Sequence, residues 1–240
     1  MFRWPKQNSH FNLGFYQTFY SRTHHSPVTD LPSDEELAGY KRAKFRGSPR
    51  DFHDYTALLN LLGVQSVLDY GCSWGYAAYQ FKESGLEACG FEISKPRARF
   101  GREKLGVEIF DNEQSLLKSG LKFDCIFSSH VFEHLPSPRI AFDVFKAVAK
   151  PSSIWIIEVP NCGGENAISR GLEWGPFSSS LHPLSLTAEF FVNAFSGLSG
   201  NFHCADKPLD PPRLARAFQE SPSAHSPTGD ELVVLKSVGN

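Results

Sequence analysis

No apolar run in the 240 residues approaches the roughly 20 needed to cross a bilayer, and the opening stretch Met1 to His10 lacks the apolar segment of a secretory signal. Both absences predict a cytoplasmic protein. Cysteine is sparse: Cys72, Cys89, Cys125, Cys162 and Cys204 are odd in number, scattered and never in CxxC spacing. That argues against a disulfide framework and a cysteine zinc site and predicts reduced, mostly buried thiols. No charge dominates either, since 24 Lys plus Arg against 26 Asp plus Glu leave a formal charge of −2. A globally basic nucleic-acid binder and an acidic disordered tail are therefore disfavoured. Two nucleotide motifs are missing as well. There is no GxxxxGK[ST], and a GxGxxG would need glycine at Ser73 and Tyr76.

The chain is instead rich in apolar residues (41%), with 21 Phe, a composition suited to one large α/β domain. Residues 1–33 carry aromatics, His, Ser and Pro without a sustained period and read as an irregular arm. From 34 to 240 a single domain is predicted. Ser33 caps a first helix with Asp34, Glu35 and Glu36 in its first turn, and Tyr55, Leu58, Leu59 and Leu62 form the stripe of a second that ends at Gly63. Strands are expected at Val64–Tyr70, Glu87–Ile93, Val107–Phe110, Phe123–Ser129 and Ile154–Val159, with a last one at Glu231–Ser237. Between them run helices from Trp74 to about Ser84, from the Ser94 cap through Pro96 to about Leu105, and from the Ser137 cap. The last of these is predicted to bury Ile140, Ala141, Val144, Phe145 and Val148. Residues 161–183 read as a loop-like insertion, Thr187–Leu198 as a helix, and Asp206–Pro227 as surface loop around a short helix at Arg213–Gln219. Strands alternating with helices predict a Rossmann-like, doubly wound α/β fold: a mostly parallel seven-stranded sheet with helices on both faces.

In such a sheet, ligands sit beyond the carboxyl ends of the strands near the switch in strand order. After the first strand, Asp69 places a carboxylate at the strand end, and Gly71 and Gly75 allow a tight turn and close approach to a ligand. Glu92 follows 21 residues after Gly71, a spacing suited to accepting from ribose hydroxyls. Asp111 and Asn112, after the third strand, suit a purine edge. Three acids at strand ends favour a ligand with ribose and adenine but a cationic end over a pyrophosphate dinucleotide.

These residues carry a resemblance. VLDYGCSWGY matches the acid and alternating glycines of the first motif of class I S-adenosylmethionine-dependent methyltransferases, with Ser73 in place of the middle glycine. GFEIS supplies the second-strand acid. FDCIFSSHVFEHLPSP (Phe123 to Pro138) resembles the FDxIxxxxVxEHLxxP segment of the small-molecule branch. The resemblance, good over about Asp54 to Val159, implies a methyltransferase with S-adenosyl-L-methionine as cofactor. It implies that Asp69, Gly71, Cys72 and Gly75 surround the methionine part, Glu92 the ribose, Ile93 with Asp111 and Asn112 the adenine, and that Ser129 and His130 lie beneath the sulfonium.

Methyl transfer from a sulfonium is an in-line displacement in which alignment supplies much of the acceleration, and for a hydroxyl acceptor a general base helps. His130 is the first candidate, with His134 and His182 behind it. Glu133 and His134 cap the following turn or line the acceptor cavity. A metal held by His130, Glu133 and His134 is disfavoured, because neighbouring residues point apart and no distant ligand is identifiable. Trp74, Trp155 and Trp174 read as packing residues, Trp174 the least core-like of the three. The expected substrate is a small molecule, glycan or lipid precursor, methylated at oxygen, with the arm and the 161–183 insertion selecting it. Lys and Arg do not cluster with aromatics, which disfavours nucleic acid. An NAD-type oxidoreductase and a catalytically silent cofactor-binding module are the competing readings. Oligomeric state is not legible.

Overall fold

The computed structural model describes residues 30–179, 181–220 and 227–239. Most of the predicted arm, including Phe2, Phe11, Phe15 and Phe19, lies outside them. In chain order the elements are α1 (Asp34–Arg42), α2 (His53–Leu61), β1 (Ser66–Tyr70), α3 (Tyr76–Glu83), β2 (Glu87–Phe91), α4 (Lys95–Phe100), β3 (Ile109–Phe110) and α5 (Glu113–Lys118). Then come β4 (Phe123–Ser129), α6 (Pro138–Val148), β5 (Ala149–Pro160), α7 (Glu165–Arg170), α8 (Gly175–Ser178), α9 (Ala188–Phe195), β6 (Phe202–Asp206), α10 (Pro211–Glu220) and β7 (Glu231–Ser237).

The sheet order is β3-β2-β1-β4-β5-β7-β6. Strands β1 to β5 are parallel, and β7 runs antiparallel to both β5 and β6. Strand alternation divides the core. Val67, Cys125, Phe127, Ile156 and Val233 pack with α1, α2, α3 and α10 on one face. Leu68, Ile126, Trp155 and Ile157 pack with α5, α6 and α9 on the other. The doubly wound fold with helices on both faces is thus as expected. Much of the phenylalanine excess goes into the second layer, where Phe132, Phe142, Phe145, Trp155 and Phe195 pack ring against ring.

Local expectations fare unevenly. Ser33 closes a full capping box with Glu36, each side chain taking the other's backbone N–H. Ser94 and Ser137 occupy N-cap positions but accept no capping bond, and past α4 the chain widens into a π turn, Gly101–Leu105. Ile140 is 39% exposed, so the α6 stripe is narrower than its sequence suggests. The 161–183 insertion carries α7, a 3₁₀ turn and α8, and Trp174 within it is buried against Phe177. Strand β6 and helix α5 had no signal strong enough to be read. All five cysteines are free. Among the described residues, no helix is long and apolar enough to cross a membrane.

Candidate active site

The order switches between β1 and β4, and the residues just beyond the carboxyl ends of these strands form the candidate site. In the loop after β1, Gly71, Ser73 and Gly75 have φ of +84°, +52° and +80°. Three alternating left-handed residues explain the alternating glycines of the motif. Ser73 adopts that conformation as a non-glycine, and its hydroxyl accepts from the buried Arg97 guanidinium at 2.8 Å. At Gly71 a Cβ would lie 2.2 Å from Val131 Cγ2, so backbone and neighbour both demand glycine.

Acids sit where expected. The buried Glu92 accepts backbone N–H bonds from Ser73 at 3.0 Å and Ser94 at 2.7 Å, tying the end of β2 to the β1 loop. Asp69 is buried and accepts from the Ala78 amide at 3.2 Å. Burial pushes its pKa up to about 7, the Ala78 bond opposing and the Glu92 charge adding. Cys72 is buried against Gly90, and Ile93 is half-buried. Asp111 pairs with Arg102 at 3.3 Å, while Asn112 caps α5 through the Ser115 amide. The Asn112 carbonyl is therefore already engaged, and its amide donates to Asp111.

Beyond β4 the chain turns at His130, whose φ of +54° is rare for a residue with a side chain. Its backbone N–H donates to the Glu158 carbonyl at 2.9 Å. The imidazole, 44% exposed, faces three carboxylates: Glu133 at 3.3 Å from Nδ1, and Glu231 at 3.5 Å and Glu158 at 3.7 Å from Nε2. Burial opposes charge on His130, but bonding to Glu133 and Glu158 outweighs it and holds its pKa well above the usual histidine range. That shift favours the imidazolium form of His130, which has no lone pair to accept a proton. Ser129 turns to donate to Glu158 at 2.7 Å, and Lys207 pairs with the same carboxylate. His182 packs edge-on against His134 at 4.7 Å, and burial pushes its pKa down to about 4.

The structure thus gathers Asp69, Gly71, Cys72, Gly75 and Glu92 into one loop system, and His130, Glu133, His134 and His182 into a second cluster. Sequence reading missed Glu158, Glu231, Lys207 and Arg97. Glu158 was accessible by the strand-end rule, as the one acid in the apolar run Ile154–Val159. Glu231 was hidden, because β7 runs backwards and brings its first residue to the site.

The model of the methyltransferase domain family matches residues 40–196, more than half of the chain. The chain belongs to this methyltransferase domain family. The match begins within α1, ends just after α9 and includes both residue clusters. The expected class I S-adenosylmethionine-dependent methyltransferase is borne out in family and fold. No curated protein sequence matches this methyltransferase. Among solved structures, the plantazolicin methyltransferase BpumL, crystallised with a pentazolic desmethylPZN analogue and SAH, is 12% identical with a TM-score of 0.61, covering 95% of this chain and 96% of its own. A methyltransferase from Archaeoglobus fulgidus is 20% identical with a TM-score of 0.53, covering 85% and 100%. One from Thermotoga maritima, described as a possible histamine N-methyltransferase, is 16% identical with a TM-score of 0.52, covering 85% and 96%. At these identities the likeness is one of fold.

Proposed function

We propose that this methyltransferase moves a methyl group from S-adenosyl-L-methionine to an oxygen of a small-molecule, glycan or lipid-precursor acceptor in the cytoplasm. The observation that carries the reading is the β1 loop: three alternating left-handed positions, no room for a Cβ at Gly71, and two buried carboxylates at the ends of β1 and β2. These residues suit a ligand that presses against backbone and brings its own positive charge. When bound, the cofactor supplies a methyl group already activated on sulfur.

The protein's part is to bind, align and manage charge. Asp69, Gly71, Cys72 and Gly75 form the cradle, Glu92 meets hydroxyls, and Ile93 with Asp111 and Asn112 borders the base. On the far side Ser129 and His130 face the acceptor, whose selection falls to the insertion at 161–183 and the arm. An imidazolium at His130 positions an acceptor oxygen by donating to it, and serves as a base only after losing its own proton. His130→Asn keeps the left-handed backbone accessible. Unchanged turnover in that variant would remove His130 from the catalytic residues, leaving His134 and His182.

Calorimetric titration is expected to show binding of S-adenosylmethionine and S-adenosylhomocysteine, with none of NAD. Absence of binding to both sulfur compounds would sink the proposal. Transfer of a labelled methyl group to a metabolite extract separates an enzyme from a silent binding module.

Asp69 gives a further expected result. Its folded pKa of about 7 exceeds the unfolded value near 3.8, so it favours folding most below the unfolded value and loses that contribution as pH rises to about 7. A cationic ligand favours its charged form, so binding releases a proton. Affinity for S-adenosylmethionine should rise by up to about tenfold from pH 6 to 8, since the charged fraction of a group with a pKa of about 7 rises about tenfold over that range. In Asp69→Asn that dependence should vanish. A wild-type profile already flat over this range would show that Asp69 does not sense the ligand.

A further inference from the structure

The acceptor side holds two groups of three His and Glu ligands whose donor atoms lie within 4.8 Å of one another: Glu133 with His134 and His182, and His130 with Glu158 and Glu231. The two differ in what already satisfies them. Glu158 accepts from Ser129 through Oε2 and pairs with Lys207 through Oε1, so a protein cation already meets the second group's central carboxylate, although Glu231 Oε2 there accepts no hydrogen bond. Glu133 has only 2% of its surface exposed, and neither carboxylate oxygen meets a hydrogen-bond donor in good geometry, His130 Nδ1 lying 3.3 Å away. Paired with a single, partly exposed imidazole, the buried carboxylate keeps acceptor capacity for a second cation.

The histidines beside it are oriented in the same sense. His134 Nδ1 lies 2.9 Å from the Leu181 carbonyl and His182 Nδ1 lies 3.2 Å from the Pro176 carbonyl. A carbonyl only accepts, so each Nδ1 carries the hydrogen and each neutral ring keeps its lone pair on Nε2. That is how metal-bound histidines are usually held, with the second ring nitrogen donating to backbone. His134 Nε2 is 3.9 Å from Glu133 Oε1. Ligand distances of about 2.1 Å bring neighbouring donors to roughly 3 Å, within reach of small side-chain rotations. His182, 48 residues beyond His134, is the distant ligand that the sequence did not identify.

We infer that Glu133, His134 and His182 form a binding site for one divalent transition-metal ion, with coordination positions left over for an oxygen ligand. Two imidazoles and one carboxylate suit zinc, iron(II), cobalt or manganese better than calcium or magnesium. That the open positions take the acceptor oxygen rests on the methyl-transfer reading; ion binding itself does not.

The test is titration of the untagged whole protein with Co²⁺, followed by visible absorption and calorimetry, with S-adenosylhomocysteine affinity measured in parallel. One equivalent of Co²⁺ should bind with a visible band of nitrogen and oxygen ligation. His134→Ala and His182→Ala should each weaken it at least about 30-fold while leaving S-adenosylhomocysteine affinity unchanged, and Glu231→Gln should keep it. His182 is half-buried in the insertion, so its replacement is expected to fold, with circular dichroism as the check. Binding weaker than about 1 mM in the wild type overturns the site. So does binding that survives His182→Ala, or that is lost only in Glu231→Gln, which would assign the ion to the other group.

Discussion

Gly71→Ala is expected to abolish measurable binding of S-adenosylhomocysteine, at least a 100-fold loss, and to destabilise the fold by about 2 to 4 kcal/mol. Two effects add. An L-residue held at the +84° of Gly71 is strained, and such positions cost about 1 to 3 kcal/mol. The new methyl also meets Val131 Cγ2 at 2.2 Å, with Cγ1 and Cβ at 3.2 and 3.3 Å. Valine is stiff about χ1, so the contact is relieved by shifting backbone, at a cost typical of overpacking. Either shift moves the loop that forms the cradle. For a domain of this size the stability loss reads as a fall in melting temperature of roughly 5 to 15 °C. The double variant Gly71→Ala, Val131→Ala removes the collision but not the strain and should recover part of both losses. Gly71→Ala binding within threefold of wild type would mean that this loop does not hold the cofactor.

Glu158→Gln is expected to cost about 2 to 3 kcal/mol and to lower the pKa of His130, followed by its NMR titration. Glu158 is 1% exposed and is the carboxylate on which Ser129, His130 and Lys207 converge. Removing one member of a buried ion pair costs about 3 to 5 kcal/mol, reduced here because His130 and Lys207 are each about 40% exposed. Burial alone would raise the Glu158 pKa, but His130 and then Lys207 hold it far below the unfolded value near 4.3. A depressed carboxylate contributes its stability above the unfolded value and loses it as pH falls through the folded one. The wild type should therefore lose stability on acidification from about pH 5 downwards more steeply than Glu158→Gln. Equal acid limbs in the two proteins would show that this charge cluster does not couple to folding.

The loop chemistry was legible because it is local. Asp69, Gly71, Gly75 and Glu92 lie at strand ends that hydrophobic runs reveal, and the left-handed positions explain why glycines recur there. The Ser33 cap was legible for the same reason, whereas Ser94 and Ser137 hold cap positions without the capping bond. Asn112 shows the limit: its position after β3 was readable, whereas its competing use as the α5 cap depended on a six-residue helix with weak periodicity. The charge cluster was hardly legible. Adjacent Glu133 and His134 face common partners only because a 3₁₀ turn redirects the chain, and His182, Lys207 and Glu231 arrive from three later segments. Strand β6, five residues of mixed polarity, gained its place from pairing with β7.

The position of β7 sets when the sheet can be completed during synthesis. Among the described residues, the last strand of the sheet lies between β5 and β6 and is the only strand that β6 pairs with. On the ribosome, residues 66–160 can lay down the five parallel strands early, while β6 waits without a partner and His130 faces a cluster still lacking Glu231. The proposed acceptor side therefore lacks the Glu231 carboxylate beside His130 until β7 has emerged, and a polypeptide cut short before β7 carries the candidate cofactor loop without that contact.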